Sequence, residues 1–243
     1  MGIHDLLMQL AAPLTGEELF DHLPDVVYFI KDAKGAYLVV NRTLAERCGV
    51  KHKAVILGKT SVEVLGEPYG QQFTDQDQQV ISSGNPLISQ LELHLHPTGL
   101  VGWCLTTKLP LRTADGRVIG LVGVSQDLRL PNLDTAEYRQ VAMAIQHAEK
   151  NRASSPKISE LAAVAGMSIY QLDRRIQSVF GLTTGQWLLK SRIDLAQRLL
   201  KETAHPIATI AMRVGYADQS AFGRQFKGAT GFTPKQFRAA FHR

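Results

Sequence analysis

Two arginines stand at the same place in two copies of one sequence pattern. Arg174 follows Ser168 by six residues, and Arg224 follows Asp218 by six residues. A guanidinium group presents two parallel N–H donors, which match the O6 and N7 acceptors on the major-groove edge of guanine. The amide of Gln219 can make a similar paired contact with adenine. These residue types and their spacing predict base reading in the major groove of DNA.

The sequence around the arginines is duplicated. Residues 158–166 read Ile-x-x-Leu-Ala-x-x-Ala-Gly, and residues 207–215 read Ile-x-x-Ile-Ala-x-x-Val-Gly. Each copy predicts a short helix, a turn at glycine and a second helix that begins at a capping residue, which together form a helix-turn-helix. The outward positions of the second helices give the predicted DNA contacts, which are Tyr170, Asp173, Arg174, Gln177, Gln219, Ser220, Arg224 and Lys227.

Asp173 is the unusual member of this set. A carboxylate is unfavourable close to DNA phosphates, unless it accepts a hydrogen bond from a cytosine amino group or pairs with an arginine. Both roles stay open for Asp173 at the level of the sequence.

One helix is expected to join the two copies, from Thr183 to Thr203. Thr183 and Gln186 have the spacing of a capping box at its start. Some 20 residues at about 1.5 Å each give about 30 Å, close to the ~34 Å between successive major-groove segments on one side of B-DNA. The spacing predicts that both second helices enter one duplex together.

Composition limits the classes of protein that fit the chain. Of 243 residues, 44% are hydrophobic and 20% charged, which is typical of a globular protein with one or two domains. Residues 131–243 carry 16 Lys and Arg against 8 Asp and Glu (+8), whereas residues 1–130 carry 11 against 14 (−3). We therefore expect a polyanionic partner for the C-terminal part only.

Targeting signals and cysteine usage point to the cytoplasm. The two cysteines, Cys48 and Cys104, fit neither a disulfide framework nor a thiolate zinc site. The sequence has no apolar run of membrane-spanning length and no export leader. We expect a cytoplasmic protein without a membrane partner.

From Asp25 the hydrophobic pattern changes to short apolar runs separated by turn residues, which predicts β-strands. Short helices are expected between the second and third strands, so the predicted fold class is α+β with a five-stranded antiparallel sheet. The predicted strands are residues 26–30, 37–40, 87–95, 103–111 and 118–124.

The apolar residues from Ile3 to Leu14 predict an N-terminal helix that either packs on its own domain or forms a dimer seam. Thr15 and Glu18 have the spacing of a capping box for a second short helix. Several strands are apolar on both faces, so we expect this N-terminal helix or a second subunit to cover the outer face of the sheet.

Residues 16–129 resemble a PAS domain. The motifs that carry the resemblance are Val40-Asn41-Arg42, Gly58-Lys59-Thr60 and residues 120–127. The resemblance implies a small-molecule effector between the sheet and the helices, with Tyr28, Phe29 and Trp103 as candidate contacts. PAS domains can also hold haem or flavin, but residues 69–80 contain no histidine and Cys48 lies outside any motif resembling a flavin-adduct site. The cofactor therefore stays unknown.

Residues 135–243 resemble the DNA-binding domain of the AraC/XylS family of bacterial transcription regulators. The most specific residues are Gly215-Tyr216-Ala217-Asp218-Gln219-Ser220, Phe222, Arg224, Phe226-Lys227, Thr230-Gly231 and Thr233-Pro234. The resemblance implies seven helices, RNA polymerase as a further partner, and base contacts from Tyr170, Arg174, Gln219, Ser220 and Arg224. Activation and repression both stay open. Ile176 and Gly223 depart from the family pattern, and Gly223 removes one contact and softens its helix by about 1 kcal/mol.

Taken together, the sequence predicts a homodimeric regulator that binds promoter DNA. The predicted divisions are an N-terminal helix (1–15), a PAS-like domain (16–129), a linker (130–134) and the DNA-binding domain (135–243). Two alternatives are a constitutive regulator whose PAS-like domain only dimerises and a nonspecific architectural DNA binder. A third is a DNA-repair alkyl acceptor, which two scattered cysteines argue against.

Catalysis and metal binding are not expected. No Ser-His-Asp set, paired carboxylates or Gly-rich phosphate loop can be recognised, so an enzyme is not predicted. His94 and His96 would share one strand face. No third ligand is evident, and no metal site is predicted.

Overall fold

The computed structural model describes residues 2–95, 101–128, 131 and 135–241. Its internal contacts divide the chain into two units, one of Met1–Gln90 with His94–Asp127 and one of Leu91–Leu93 with Leu128–Arg243. Most of the predicted linker, residues 130–134, lies outside the described residues. The four predicted divisions of the chain stay a prediction.

The first unit is built on a five-stranded sheet. The strand order is β2-β1-β5-β4-β3, with β1 paired antiparallel to β2 and β5, and β4 antiparallel to β5. The strands are β1 (Val26–Asp32), β2 (Tyr37–Val40), β3 (Leu87–Leu95), β4 (Val101–Arg112) and β5 (Val118–Asp127). The predicted α+β fold class is confirmed, and each strand begins or ends within three residues of its predicted limits.

Five helices belong to this unit within the described residues, together with a 3₁₀ turn at Lys53–Val55. They are α1 (Ile3–Leu7), α2 (Glu17–Phe20), α3 (Arg42–Arg47), α4 (Ser61–Leu65) and α5 (Tyr69–Ser83). An apolar cluster packs on one face of the sheet and is formed by Val27, Phe29, Tyr37, Val40, Leu44, Ala45, Ile56, Val80 and Leu121. We call the sheet face that carries Phe29 and Leu121 the inner face.

Asn41 explains the Val-Asn-Arg motif at the start of α3. Its side-chain oxygen accepts from the amides of Leu44 (3.2 Å) and Tyr28 (3.0 Å). Its side-chain nitrogen donates to the carbonyls of Phe20 (3.0 Å) and Val26 (2.7 Å). One buried amide thereby binds four backbone groups, so that it caps α3 and holds this helix to β1.

The N-terminal segment differs from the prediction. Helix α1 ends at Leu7, and Ile3 and Leu14 are 71% and 74% exposed, so the predicted stripe does not pack on its own domain. Pro13 cannot continue a helix, and a short helix without packing partners is marginal in water. The predicted Thr15–Glu18 capping box is also absent, because α2 starts from Gly16 at a φ of 75° without a side-chain cap.

The second unit is helical. Seven α-helices and a 3₁₀ turn at Arg152–Ser154 lie within its described residues, in agreement with the predicted number. The helices are α6 (Ala136–Lys150), α7 (Ile158–Val164), α8 (Ile169–Phe180), α9 (Thr184–Glu202), α10 (Ile207–Arg213), α11 (Gln219–Thr230) and α12 (Pro234–Phe241). No helix of the described ranges has both the length and the apolar character needed to cross a bilayer.

The two helix-turn-helix units, α7–α8 and α10–α11, turn at glycines with positive φ. Gly166 has a φ of 66° and Gly215 a φ of 89°, conformations in which a side chain is strained. The two sites differ in their surroundings. A Cβ on Gly166 would meet nothing within 4 Å, whereas a Cβ on Gly215 would lie 2.4 Å from the carbonyl oxygen of Arg152.

This contrast predicts different costs for the same substitution in the two copies. Gly166→Ala should lower the free energy of unfolding by about 1 kcal/mol, from backbone strain alone. Gly215→Ala should cost about 1–3 kcal/mol more, because the methyl group also collides with backbone. Thermal or urea unfolding of the full chain measures both, and equal costs would contradict the close packing at Gly215.

Candidate nucleic-acid interface

Helix α8 presents three polar side chains from one face. Ser168 caps the helix, as predicted, by accepting from the amide of Gln171 at 3.1 Å, and the Gln171 side chain accepts in return from the Ser168 amide at 2.9 Å. Leu172 and Ile176 are buried and fix the rotation of the helix. The exposed face carries Tyr170, Arg174 and Gln177, whose i, i+4, i+7 spacing aligns them along the helix.

Helix α11 repeats the arrangement at the same offsets. Asp218 caps it by accepting from the amide of Ala221 at 2.7 Å, and Phe222 and Phe226 are fully buried. The aligned exposed residues are Ser220, Arg224 and Lys227, with Gln219 exposed beside them at the first turn.

Both arginines are available to a ligand. Arg174 and Arg224 are exposed, and neither has a hydrogen-bond or ion-pair partner among the described residues. Each guanidinium therefore keeps its paired donors unused at the surface, as base reading requires.

Asp173, in contrast to the two arginines, has a hydrogen-bond partner within the protein. It is half-buried, and its Oδ1 accepts from the backbone amide of Thr184, the first residue of α9, at 2.7 Å. The carboxylate thus satisfies an orphan amide at the start of α9 and ties α8 to that helix. This bond accounts for an acidic residue on α8 without a base or phosphate partner.

The second copy lacks both halves of this contact. At the position of Asp173 it has Gly223, and at the position of Thr184 it has Pro234, which has no amide hydrogen to donate. Gly223, which departs from the AraC/XylS pattern, therefore stands where no acceptor is needed.

Helix α9 connects the two units over 19 residues, or about 28 Å at about 1.5 Å per residue. The predicted capping box is present, with the Thr183 amide donating to Gln186 Oε1 at 2.9 Å. Arg192 lies over the Tyr216 ring at 5.8 Å, and Lys201 Nζ lies 5.5 Å from the Phe237 ring centroid. These contacts attach the second helix-turn-helix to α9, as Asp173 attaches the first helix-turn-helix.

The three aromatic residues proposed as ligand contacts do not converge. Tyr28 and Phe29 are neighbours on β1 and point to opposite faces of the sheet. The Tyr28 hydroxyl donates to the Thr15 carbonyl at 2.6 Å, and its ring stacks on Phe20. The strand register places Trp103 on the same face as Tyr28, away from Phe29. The sheet therefore separates Phe29 from Tyr28 and Trp103, and the three residues stay a prediction as ligand contacts.

Glu92, His94 and Cys104 each place one possible metal-ligand atom within 4.8 Å of the others, a grouping that the sequence did not reveal. His96 lies outside the described residues. His94 Nδ1 lies 3.1 Å from Arg47 Nη1, and its ring packs edge-on against Phe73 at 5.6 Å.

The structure contains a buried polar cluster that the sequence did not predict. The inner face of the sheet carries Lys31 and Lys108, and both ammonium groups contact the carboxylate of Asp77 on α5. Burial lowers the pKa of Lys31, an effect that Asp77 opposes. The signal in the sequence was the strand alternation, which puts each lysine on the same face as buried apolar residues.

Comparison with known proteins agrees with the two-part architecture. Residues 161–240 match the family model of a helix-turn-helix domain, and residues 20–130 match the model of the PAS fold. An AraC-like transcription regulator of Streptomyces antibioticus is 35% identical over 98 residues, 40% of this chain and 32% of that protein. The chain therefore carries a PAS-fold domain followed by an AraC-type helix-turn-helix domain, as predicted.

Two further similarities cover 34% and 42% of this chain. The arabinose operon regulatory protein of Escherichia coli K12 is 37% identical over 82 residues, 34% of this chain and 28% of that protein. The DNA-binding domain of AdpA, solved with a target DNA, is 31% identical, and the match covers 42% of this chain and 92% of that chain at a TM-score of 0.40. The chain spans about a third of the length of the two curated relatives.

The Asp173–Thr184 bond predicts the effect of removing the carboxylate. Asp173→Ala should lower the free energy of unfolding by about 1 kcal/mol, because the first amide of α9 loses its acceptor. Asp173→Asn keeps a side-chain oxygen and should lose less. Urea unfolding measures both variants, and Gly223→Asp is the matched control that should gain no stability opposite Pro234. Unchanged stability of Asp173→Ala together with an altered base preference would assign Asp173 to DNA instead.

Proposed function

We propose that this chain is a transcriptional regulator that binds promoter DNA through α8 and α11. The observation that carries the proposal is the repeated placement of one exposed, unpaired arginine on two capped helices, at the same offset in each copy. Duplicated surfaces of this kind suit a repeating ligand, and the net charge of +8 on residues 131–243 suits a polyanion.

Each recognition helix supplies base and backbone contacts. Arg174 and Arg224 read guanine, and Gln219 reads adenine. The other exposed side chains of the two faces, Tyr170, Gln177, Ser220 and Lys227, contact bases or phosphates beside them. The length of α9, about 28 Å, supports entry of the two helices into major-groove segments about 34 Å apart on one side of the duplex.

The PAS-fold domain has two proposed roles, detection of a signal and dimerisation. We propose that it binds a small-molecule effector and pairs two chains, so that a dimer covers two DNA sites. The protein acts in the cytoplasm without enzymatic activity and, as an activator, contacts RNA polymerase. An effector changes DNA binding by favouring one arrangement of the paired chains.

The outer face of the sheet supports dimerisation. Register pairs Ile30 with Val39 and Val122, and Val122 with Leu109, so four apolar side chains form one row across four strands. All four are exposed or half-exposed. A solvated apolar row of this kind is typical of an interface.

The DNA-binding proposal predicts a loss of specificity without a loss of background binding. Arg224→Ala should weaken binding to a selected site by about 1–3 kcal/mol while salt-dependent binding to random DNA stays nearly unchanged. Arg174→Ala should do the same at a different base position. Fluorescence anisotropy with specific and random duplexes measures both. Arg117→Ala, which removes the same charge from an exposed turn of the PAS-fold domain, is the control. Equal loss on both duplexes would indicate a nonspecific architectural binder.

The dimer proposal predicts that a charge in the apolar row separates the chains. Leu109→Glu should give a monomer, because pairing would bury an uncompensated carboxylate. Analytical ultracentrifugation measures the mass. Val55→Glu, an equally exposed apolar position off the sheet, should leave the assembly unchanged. A wild-type monomer, or a dimer that tolerates Leu109→Glu, would contradict the assignment of this face.

A further inference from the structure

The largest fully buried side chains of the protein include two lysines in the PAS-fold domain. Lys31 on β1 is 1% exposed and Lys108 on β4 is 2% exposed. They flank β5, where Lys31 pairs with Leu121 and Lys108 pairs with Gly123. Both therefore point from the inner face towards α5, whose Asp77 is 1% exposed.

The two ammonium groups share one carboxylate. Lys31 Nζ donates to Asp77 Oδ2 and, at 2.6 Å, to Ser61 Oγ, and lies 3.9 Å from the centroid of the Tyr37 ring. Lys108 Nζ lies 2.7 Å from Asp77 Oδ1 and 3.0 Å from Gln76 Oε1. Its remaining contact is the Phe73 carbonyl at 3.4 Å. We call Lys31, Lys108 and Asp77 the buried triad.

Charge does not balance in the buried triad. Among the described residues, Asp77 is the one acid in ion-pair contact with either lysine, so two amino groups face a single carboxylate. The other partners are a hydroxyl, an amide oxygen, a carbonyl and a ring, all of them neutral. A buried surplus charge is strongly unfavourable unless an anion compensates it or a lysine gives up its proton.

The inner face continues as a polar surface beside the triad. Next to Lys108 on β4, Thr106 Oγ1 lies 2.9 Å from Ser125 Oγ of β5, and both residues are buried. The Tyr37 hydroxyl lies 3.0 Å from Ser61 Oγ. Packing alone would favour aliphatic side chains at these positions, whereas recognition of a polar ligand requires a few fixed hydrogen-bonding groups within apolar walls.

We propose that the buried triad is the effector site of the PAS-fold domain and that the effector is a small organic monoanion, a carboxylate. Its two oxygens accept from the ammonium groups of Lys31 and Lys108, and its single charge cancels the surplus. The rings of Tyr37 and Phe73, which already flank the lysines, border the site. This inference rests on the proposed role of the domain as a sensor.

Asp77 would link the site to the rest of the domain. It is the residue through which α5 holds both β1 and β4 by charge. A carboxylate that binds the same ammonium groups competes with Asp77 and weakens this attachment. Binding of the carboxylate therefore loosens the attachment of α5 to β1 and β4.

Substitutions within the buried triad should act in opposite directions. Lys108→Met or Lys31→Met removes the surplus charge and should weaken carboxylate binding at least tenfold. Asp77→Asn removes the competing carboxylate and should strengthen it. Lys34→Met, on an exposed turn of the same domain, is the control and should bind as the wild type does.

The full chain should be titrated with sodium acetate, pyruvate and benzoate against sodium chloride at equal ionic strength, with melting temperature and calorimetry as readouts. A saturable stabilisation that follows this order of variants supports the site. Absence of binding to both the wild type and Asp77→Asn, or binding that survives Lys108→Met, overturns it.

A measurement on the wild-type protein tests the site even if the substituted proteins do not fold. In ¹⁵N-lysine-labelled protein, two protected ammonium resonances should shift on saturation with the carboxylate that binds, and unchanged resonances would overturn the proposal. Specific DNA binding is measured separately by anisotropy. DNA specificity without carboxylate binding would contradict the proposed effector site and leave the proposed regulator standing. Carboxylate binding without DNA specificity would contradict the proposed regulator and leave the carboxylate site standing.

Discussion

Attachment of both helix-turn-helix units to one continuous helix is the constraint on which the DNA-binding surface depends. Helix α9 buries Ile193, Ala196 and Leu200, so it is a core element of the second unit as well as a connector. Asp173 holds its N-terminal end to α8, and Lys201 lies over the Phe237 and Phe241 rings near its C-terminal end. Because both ends are fixed, the two exposed arginine faces keep a defined separation.

Duplication did not leave two identical units. In the first helix-turn-helix copy, a carboxylate accepts from the amide at the start of α9. At the equivalent position after the second copy, α12 begins with a proline, which has no amide hydrogen that needs an acceptor. The turn glycines show the same divergence, since Gly166 is open and Gly215 is pressed against the Arg152 carbonyl. Equivalent exposed faces are therefore supported by different local contacts in the two copies.

Local signals in the sequence sufficed for most of the fold. Capping residues such as Ser168 and Thr183, glycines at helix exits and apolar spacing act within a few residues, and the helices they predict are present. The N-terminal helix is shorter than predicted, and its apolar residues stay exposed within the described part of the chain. Asp173 and the buried triad were missed because their partners are 11, 46 and 31 residues away, and only the folded chain brings them together.

Guanine methylation interference on a selected DNA site tests most directly whether two helices on one rigid connector read one duplex. The account predicts two patches of major-groove guanines about one helical turn apart. One patch should disappear in Arg174→Ala and the other in Arg224→Ala. A single patch, or the loss of both patches in either variant, would contradict a fixed pair of independent recognition helices.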